Sequence, residues 1–247
     1  MYNGFRVGAV IPALNEEQSV GLVVQDIRSQ RNSDGTQMVD DVVVCDNGST
    51  DSTSRVAIEA GATLVTDTKR GYGRACLTAI ATLKEKSPEV LVFMDGDLAF
   101  DARDIPHMLH SIEQGADLVI GSRSLGKCEP GALSLAQRIG NKVATLLISL
   151  LWSARITDLG PFRAIRTSAL DQLFMRDEAF GWTVEMQIKA IDMDMSVVEI
   201  PVNTRVRLGR SKISGTIRGV LSAGFGILSK ILQLRFSTPF VSSSQLP

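Results

Sequence analysis

The first 120 residues alternate short apolar runs with stretches of helical periodicity. In the helical stretches apolar residues recur every three or four positions, as Val20, Val24 and Ile27 do. The apolar runs contain almost no polar residue, which is typical of parallel strands covered by helices on both faces. We therefore predict strands at Val7–Ile11, Val42–Val44, Thr63–Thr66, Val90–Met94 and Ala116–Ile120, and helices at Gln18–Gln30, Gly71–Lys86, Ile105–Gln114 and between Asp51 and Gly61.

The second half of the chain is less regular. Leu133–Trp152, Trp182–Ile191 and Ile213–Phe236 have the length and pattern of helices. Phe162–Ile165 and Ser196–Arg207 are predicted to be strands. Pro201 lacks a backbone N–H, so its strand is expected at the edge of the sheet. Together these elements predict an α/β fold with a mostly parallel sheet and a helical segment at the C-terminus.

Charge is distributed unevenly along the 247 residues, although the net charge is only −1. The 48 residues from Ile200 onward contain seven basic residues and no acidic one, whereas the first 199 contain 19 basic and 27 acidic residues. An acidic body with few aromatic residues argues against nucleic-acid binding. The basic tail instead predicts an anionic partner.

Cysteine usage and hydropathy bear on the compartment. Three scattered cysteines favour a reducing, cytoplasmic location, and no apolar run reaches the roughly 18–20 residues that span a bilayer. The uncharged stretches Val143–Ala154 and Gly219–Ser229 leave three alternatives open. They lie on a membrane surface, pack on the domain, or contact a second subunit.

Polar residues cluster where the predicted parallel strands end, which is where ligands of such sheets bind. Asp95-Gly96-Asp97 places two carboxylates after a buried strand, an arrangement suited to Mg²⁺ or Mn²⁺. The alternative for this triplet is an ordinary turn. Asp46-Asn47-Gly48 and Asn15-Glu16 occupy equivalent positions, where helix capping is the alternative. Lys69–Ala75 combines basic residues with glycines before a helix, as phosphate-binding loops do.

Taken together, these motifs resemble the family 2 glycosyltransferases with the GT-A (Rossmann-like) fold, and among them the polyprenyl-phosphate (dolichyl-phosphate) mannose or glucose synthases. The resemblance spans residues 10 to 215 in unbroken order. It implies a glycosyltransferase domain at 1–212 and a basic, apolar C-terminal segment at 213–247. The matching stretches are VIPALNEE (10–17), VVVCDNGSTDST (42–53), KRGYGRA (69–75), VFMDGDLAFD (92–101), DLVIGSR (117–123), QRIGN (137–141), DLGPFRAIR (158–166) and GRSKISG (209–215).

The resemblance also implies an inverting, metal-dependent transfer from a UDP- or GDP-sugar to a polyprenyl phosphate. Asp95 and Asp97 would hold the metal, and Asp46 would receive the base. Relatives often carry Gln where this chain has Ala99, so Asp101, water or substrate would complete the metal shell. The implied nucleotide-sugar pocket comprises Pro12, Ala13, Asn15, Glu16, Asp46, Gly71, Gly73, Asp95, Gly96 and Asp97, and the implied acceptor-phosphate residues are Arg123, Arg138, Arg207, Arg210 and Lys212.

The acceptor decides whether a catalytic base is required. A phosphate monoester is mostly ionised at neutral pH, because its second pKa is about 6, and arginines would position it. A hydroxyl acceptor would need a carboxylate base, for which Asp158 and Glu185 are the candidates. The structural alternatives are an Asp158–Arg163 pair and a solvated helix face for Glu185. The competing functions are a soluble transferase with a hydroxyl acceptor and a non-catalytic nucleotide- or membrane-binding module.

Overall fold

The computed structural model describes residues 1–209 and 217–236. Its sheet has the strand order β3-β2-β1-β4-β6-β5-β7. The strands are β1 (Val7–Ala13), β2 (Asp41–Asp46), β3 (Thr63–Thr66), β4 (Val90–Phe93), β5 (Leu118–Ser122), β6 (Arg163–Arg166) and β7 (Val197–Pro201).

Helices fill most of the connections between these strands. One 3₁₀ turn, Ala102–Asp104, precedes the fourth helix. The helices in the described ranges are α1 (Val20–Ser29), α2 (Thr53–Glu59), α3 (Tyr72–Lys84), α4 (Ile105–Glu113), α5 (Leu135–Trp152), α6 (Thr167–Leu173), α7 (Trp182–Asp192) and α8 (Ile217–Phe236).

The sheet is mostly parallel, as the sequence predicts. β1 pairs in parallel with β2 and β4, β2 with β3, and β5 with β7. β6 alone among the paired strands runs antiparallel to both of its neighbours, β4 and β5. β4 and β5 therefore point the same way with one strand between them, and their carboxyl ends meet at one edge. β7 is an edge strand, which confirms the expectation from Pro201.

Helices cover both faces of the sheet, and successive strand residues belong to opposite cores. Ile11 packs with α1 and α4, whereas Val10 packs with α3, α6 and α7. Every residue of β1 and β4 is buried, so these strands could not alternate polar and apolar residues. Complete burial of one Val, Leu or Ile side chain contributes about 1.5–3 kcal/mol to folding, and both cores consist largely of such residues.

α5 and α8 form a third apolar cluster against α7. Ile148 of α5, Ile188 of α7 and Ile231 of α8 are buried together. Lys230 of α8 also pairs with Asp177 at 2.9 Å. One face of each helix therefore packs on the domain, and what the opposite faces contact stays open between a membrane surface and a second subunit. No helix in the described ranges has the length and apolar character needed to cross a bilayer.

Several predicted boundaries are wrong. The strand predicted over Ser196–Arg207 ends at Pro201, and the residues beyond it form bridges and bends. α6 follows β6 directly and was not predicted from its seven residues. The start of the C-terminal helix and the division at 212/213 fall in 210–216, outside the described residues, and stay predictions.

Candidate active site

The carboxyl ends of β1, β2 and β4 bring together the polar residues that the sequence singles out. These three strands are neighbours in the sheet, so Asp46 at the end of β2 lies near Asn15 and Asp95, which follow β1 and β4. Gly96 packs on β1, where an added Cβ would lie 3.4 Å from Cγ2 of Ile11 and 3.6 Å from the carbonyl oxygen of Pro12. The Asp95–Asp97 turn therefore lies directly against the first strand.

The two carboxylates of this turn have different surroundings. The Tyr72 hydroxyl donates to Oδ1 of Asp95 at 3.0 Å, and the backbone N–H of Ala99 donates to Oδ1 of Asp97 at 3.0 Å. Burial and the neighbouring Asp97 carboxylate together raise the pKa of Asp95 to about 7. The site thus concentrates negative charge that a cation would relieve.

Residues 205–208 run across the Asp95–Asp97 turn. The backbone N–H groups of Arg205 and Leu208 donate to the carbonyls of Ala99 and Asp97 at 2.9 and 3.0 Å. Nη2 of Arg207 lies 2.9 Å from Oδ2 of Asp97 and 3.3 Å from Oε1 of Glu16. Nε of Arg207 is buried and has no hydrogen-bond partner within residues 1–209 and 217–236.

Asp101 is not brought to the carboxylate pair, so the expectation that it completes a metal shell is wrong. Its side chain pairs with Arg103 and Arg205, and hydrogen bonds from these guanidinium groups lower the pKa of Asp101 to about 2. Within residues 1–209 and 217–236, no three acidic, histidine or cysteine side chains gather as a metal site. The role of Asp95 and Asp97 as metal ligands stays a prediction, and in that role they would leave the remaining ligand positions to water or substrate.

Arg123 and the buried Asp158 form an ion pair beyond β5, which is two strand positions from β4. Asp158 accepts three hydrogen bonds from Arg123: from the backbone N–H at 2.7 Å, from Nε at 2.8 Å and from Nη2 at 2.6 Å. Burial lowers the pKa of the Arg123 guanidinium, but the bonds to Asp158 outweigh this effect and raise it. The predicted Asp158–Arg163 pair is wrong, because Arg163 donates to the carbonyls of Gly160 and Thr183.

A cavity of about 540 Å³ joins the acidic turn to the helices. Asp95, Asp97, Arg123 and Arg207 line its polar end. Its other walls are mostly small and apolar residues of α5, α8 and the loop before α5: Gly131, Ala132, Leu133, Ala136, Gly140, Ala144, Gly224 and Ile227.

A second cavity, of about 410 Å³, shares Arg123 with the first and is basic. Arg138 and Lys142 of α5 also line it. Neither has an ion-pair partner in the part of the chain that the structure describes, and Nη2 of Arg138 lies 3.8 Å from Sγ of Cys128. Three cations and the Asp158 carboxylate, which pairs with Arg123, thus line a polar cavity beside the apolar one.

Comparison with known proteins decides the family. The family model for glycosyl transferase family 2 matches residues 9–174. The chain is also 33% identical to an uncharacterized glycosyltransferase of Mycobacterium tuberculosis, over 89% of this chain and 95% of the relative. The chain is a family 2 glycosyltransferase.

Other relatives of this glycosyltransferase have named activities. A dolichyl-phosphate hexose transferase of Haloferax volcanii is 30% identical, over 93% of this chain and 95% of the relative. An undecaprenyl-phosphate mannosyltransferase of Micrococcus luteus is 27% identical, over 87% of this chain and 90% of the relative.

The GT-A fold of the glycosyltransferase is shared with solved structures. It matches glucosyl-3-phosphoglycerate synthase from Mycobacterium tuberculosis, crystallised with Mn²⁺, uridine diphosphate and phosphoglyceric acid. The match has a TM-score of 0.75 and 23% identity, and covers 96% of this chain and 80% of that one. It confirms the predicted fold class.

In this glycosyltransferase, Asp46 and Asn15 hold the turn after β2. Asp46 accepts from the backbone N–H of Ser49 at 2.8 Å and from the hydroxyl of Ser54. Oδ1 of Asn15 accepts from the backbone N–H of Thr50 at 2.7 Å. Pro12 and Ala13 pair with the end of β2 beneath this turn. The geometry brings these residues together, and their role toward a nucleotide stays a prediction.

Gly71 and Gly73 of the glycosyltransferase are required for close packing. A Cβ at Gly71 would lie 2.1 Å from the carbonyl oxygen of Glu178, and one at Gly73 would lie 2.0 Å from that of Asp177. The basic residues of the same loop are also engaged, since Lys69 and Arg74 both pair with Glu178. Packing therefore explains both glycines without a phosphate, and their predicted place beside the nucleotide stays untested.

Glu185 is buried, so the alternative of a solvated helix face is wrong. Its Oε2 accepts from the backbone N–H groups of Arg176 and Asp177 at 3.0 and 2.7 Å. Its Oε1 pairs with Lys189 at 2.8 Å. Both candidate bases, Asp158 and Glu185, are thus held by other protein groups.

Three residues near the site were not predicted from the sequence: Tyr72, Lys142 and Glu199. Tyr72 lies between Gly71 and Gly73, and Lys142 directly follows the QRIGN stretch. Both positions therefore adjoin motifs that the sequence does indicate. Glu199 reads only as a polar position in a strand. Arg210 and Lys212, predicted to bind acceptor phosphate, lie outside the described residues.

Proposed function

We propose that this glycosyltransferase transfers a sugar from a nucleotide-sugar donor to a polyprenyl phosphate at a cytoplasmic membrane surface. The observation that carries the proposal is the composition of the larger cavity. Its polar end contains Asp95, Asp97 and Arg123, and its remaining walls are largely apolar and come from α5 and α8. A phosphate attached to a long hydrocarbon chain matches both ends of such a cavity.

The donor would bind at the polar end, against Asp95 and Asp97. Two carboxylates with excess negative charge are suitable ligands for Mg²⁺ or Mn²⁺. When bound, the metal supplies a Lewis acid for the negative charge that develops on the departing nucleoside diphosphate. The bound Mn²⁺ and uridine diphosphate of the solved synthase support such a donor site. The choice between uracil and guanine stays open.

The acceptor phosphate would bind Arg123 and its basic neighbours, Arg138 and Lys142. Guanidinium groups suit this task, because they bind phosphate oxygens in bidentate fashion. The state of the two candidate bases favours phosphate over a hydroxyl acceptor. Asp158 is held by Arg123, and Glu185 by Lys189 and two backbone amides. A phosphate monoester needs neither, because it is already ionised.

The outer face of α5 would contact the membrane. Leu135, Ile139, Val143, Leu146 and Leu150 follow one another at intervals of four, four, three and four residues, and all are exposed. The neighbouring α8 exposes Phe225, Leu228 and Leu232. Neither helix contains an acidic residue, so this apolar and basic surface complements an anionic leaflet, whereas two copies would repel each other. A homo-oligomer stays an alternative outcome of the test.

Product extraction tests the proposal. The purified chain is incubated with radiolabelled UDP- or GDP-sugars, Mn²⁺, and either undecaprenyl phosphate or 3-phosphoglycerate. We expect metal-dependent label in the organic phase with the lipid acceptor, and none with the Asp97→Ala variant. Label found only in the aqueous phase with 3-phosphoglycerate would replace the lipid with a small hydroxyl acceptor. Nucleotide binding without any transfer would leave a non-catalytic binding module.

A further inference from the structure

The segment 157–159 has no regular secondary structure, yet side chains hold its backbone from several sides. Glu199 of β7 accepts the N–H of Thr157 at 2.9 Å and that of Asp158 at 3.1 Å. Asn141 of α5 donates to the carbonyl of Thr157 and accepts the N–H of Leu159, both at 3.0 Å. β7, α5 and the loop before β6 are thereby joined at one point.

This segment is the support of the Arg123 guanidinium. Asp158 is completely buried, and its carboxylate receives three hydrogen bonds from Arg123. The position of that carboxylate depends on the backbone of Asp158, which Glu199 fixes. Glu199 lines neither cavity itself. By holding the backbone of Asp158, it constrains the direction in which the Arg123 side chain can point.

The Glu199 carboxylate is engaged by backbone amides. No ion pair joins it to a cation in the described ranges 1–209 and 217–236. In β7 it is paired in register with Ile120 of β5, two residues before the strand ends and three before Arg123. The edge strand β7 thus holds both sides of the Arg123–Asp158 contact. It pairs with β5, which precedes Arg123, and its Glu199 side chain binds the backbone of residues 157–159.

We propose that Glu199 is a positioning residue that orients Arg123 toward the acceptor phosphate through the backbone of Thr157 and Asp158. This inference rests on the proposed function, because it assumes that Arg123 binds a phosphate. Loss of the Glu199 charge should weaken its bonds to the two amides and let Asp158 and Arg123 shift together. The donor site, two strand positions along the sheet, should keep its affinity.

The test compares Glu199→Gln with the surface control Glu59→Gln, whose parent side chain is exposed and pairs only with Arg55 of the same helix. Binding of farnesyl phosphate without donor is measured by titration calorimetry, and KM and kcat are measured with undecaprenyl phosphate. We expect Glu199→Gln to raise the farnesyl phosphate Kd and the acceptor KM about tenfold, because hydrogen bonds to a charged group are involved. The Kd for UDP with Mn²⁺ should be unchanged, as should every constant of the control.

A double-variant cycle shows whether Glu199 acts through Arg123. In an Arg123→Lys background, which retains the charge but loses the two-point contact, Glu199→Gln should raise the acceptor KM by less than about twofold, since coupled residues are not additive. Thermal melts of each variant show whether a loss of affinity is due to unfolding of the protein. Equal losses of donor and acceptor affinity, or full additivity with Arg123→Lys, would overturn the positioning role.

The two proposals fail in different ways. If the wild-type chain binds farnesyl phosphate but transfers no sugar to lipid, the transfer reaction is wrong, and the effect of Glu199→Gln on binding still decides its role. If the wild type transfers sugar to lipid while Glu199→Gln leaves the acceptor constants unchanged, only the positioning role is wrong. A wild-type chain that does not bind farnesyl phosphate overturns both.

Discussion

Nη2 of Arg207 lies 2.9 Å from Oδ2 of Asp97, so the second carboxylate of the Asp95–Asp97 turn already has a cationic partner within the protein. The same nitrogen reaches Glu16, and Nε has no hydrogen-bond partner among the described residues. A divalent cation that binds Oδ2 of Asp97 would therefore compete with Arg207 for that oxygen.

Substitution of Arg207 should strengthen metal binding in the absence of donor. We expect Arg207→Ala to lower the Mn²⁺ Kd up to about fivefold, the range of a partly exposed ion pair. Electron paramagnetic resonance of free Mn²⁺ measures this without turnover. Arg28→Ala is the control, because the Arg28 guanidinium donates to the carbonyl of Gly61, away from the acidic turn. A weaker Mn²⁺ complex in Arg207→Ala would show that Arg207 supports the metal site instead of competing with it.

Removal of either carboxylate of the turn should abolish transfer. We expect Asp95→Asn and Asp97→Asn each to reduce kcat by at least about 100-fold, the usual loss when one electrostatic stabiliser of a transition state is removed. Turnover at saturating Mn²⁺ measures the effect, with Asp26→Asn on α1 as the matched control. Activity in Asp97→Asn close to that of the wild type would contradict the assignment of the metal.

The raised pKa of Asp95 gives stability a defined pH dependence. Between the ordinary pKa of about 4 and the folded-state value of about 7, the folded chain binds more protons than the unfolded chain. Stability should therefore fall as the pH rises through this window. At pH 8, Asp95→Asn should raise the Tm relative to wild type by about 2–4 °C for each 1 kcal/mol by which it increases the free energy of unfolding. At pH 4 the Tm should be unchanged.

Tyr72→Phe provides an independent check of the same carboxylate. The Tyr72 hydroxyl donates to Asp95 and stabilises its ionised form. Its loss should raise the pKa of Asp95 further, so that Mn²⁺ binding requires a higher pH. Mn²⁺ titrations from pH 5 to pH 9 measure the midpoint. An unchanged midpoint would mean that Asp95 does not control metal binding.

The exposed face of α5 should decide membrane attachment. We expect Leu146→Glu combined with Leu150→Glu to reduce sedimentation with phosphatidylglycerol vesicles at least tenfold, because each buried leucine contributes about 1.5–3 kcal/mol. Ile58→Glu on α2 is the control, since Ile58 is equally apolar and 56% exposed. Unchanged sedimentation, or a change from dimer to monomer in ultracentrifugation, would assign this face to protein contact.

Two glycines should respond to alanine in opposite directions. Gly73→Ala places a Cβ 2.0 Å from the carbonyl oxygen of Asp177, so the loop must move and the Tm should fall. Gly140→Ala, within α5, meets nothing within 4 Å and should gain roughly 0.5–1 kcal/mol of helix stability. Thermal melts of both variants check this pair. A stable Gly73→Ala protein would contradict the packing of the loop.

The sequence predicts the elements well where burial alone determines them. The solid apolar runs at Val7 and Val90 mark strands covered on both faces, and the motifs that follow them lie at one edge of the sheet, as expected. An apolar run does not indicate the direction of its strand, so only the structure shows that β6 is antiparallel.

The partners of charged residues were harder to predict, because they depend on contacts between distant segments. Asp158 pairs with Arg123, 35 residues away, and not with its near neighbour Arg163. Glu185 is buried by the 176–177 backbone, which its helical pattern does not reveal. Arg207 reaches Glu16 across 191 residues, and no local signal indicates that contact.

The antiparallel strand β6 also determines the distance between the loops that follow β4 and β5. Because β4 and β5 flank it, the loops that carry Asp95 and Arg123 start about 10 Å apart, two strand spacings, and project from the same edge. In the proposed reaction, the sugar would be transferred across this gap, from a donor held beside Asp95 to an acceptor phosphate held beside Arg123. The order of the strands would then keep the leaving group and the attacking oxygen on opposite sides of the sugar.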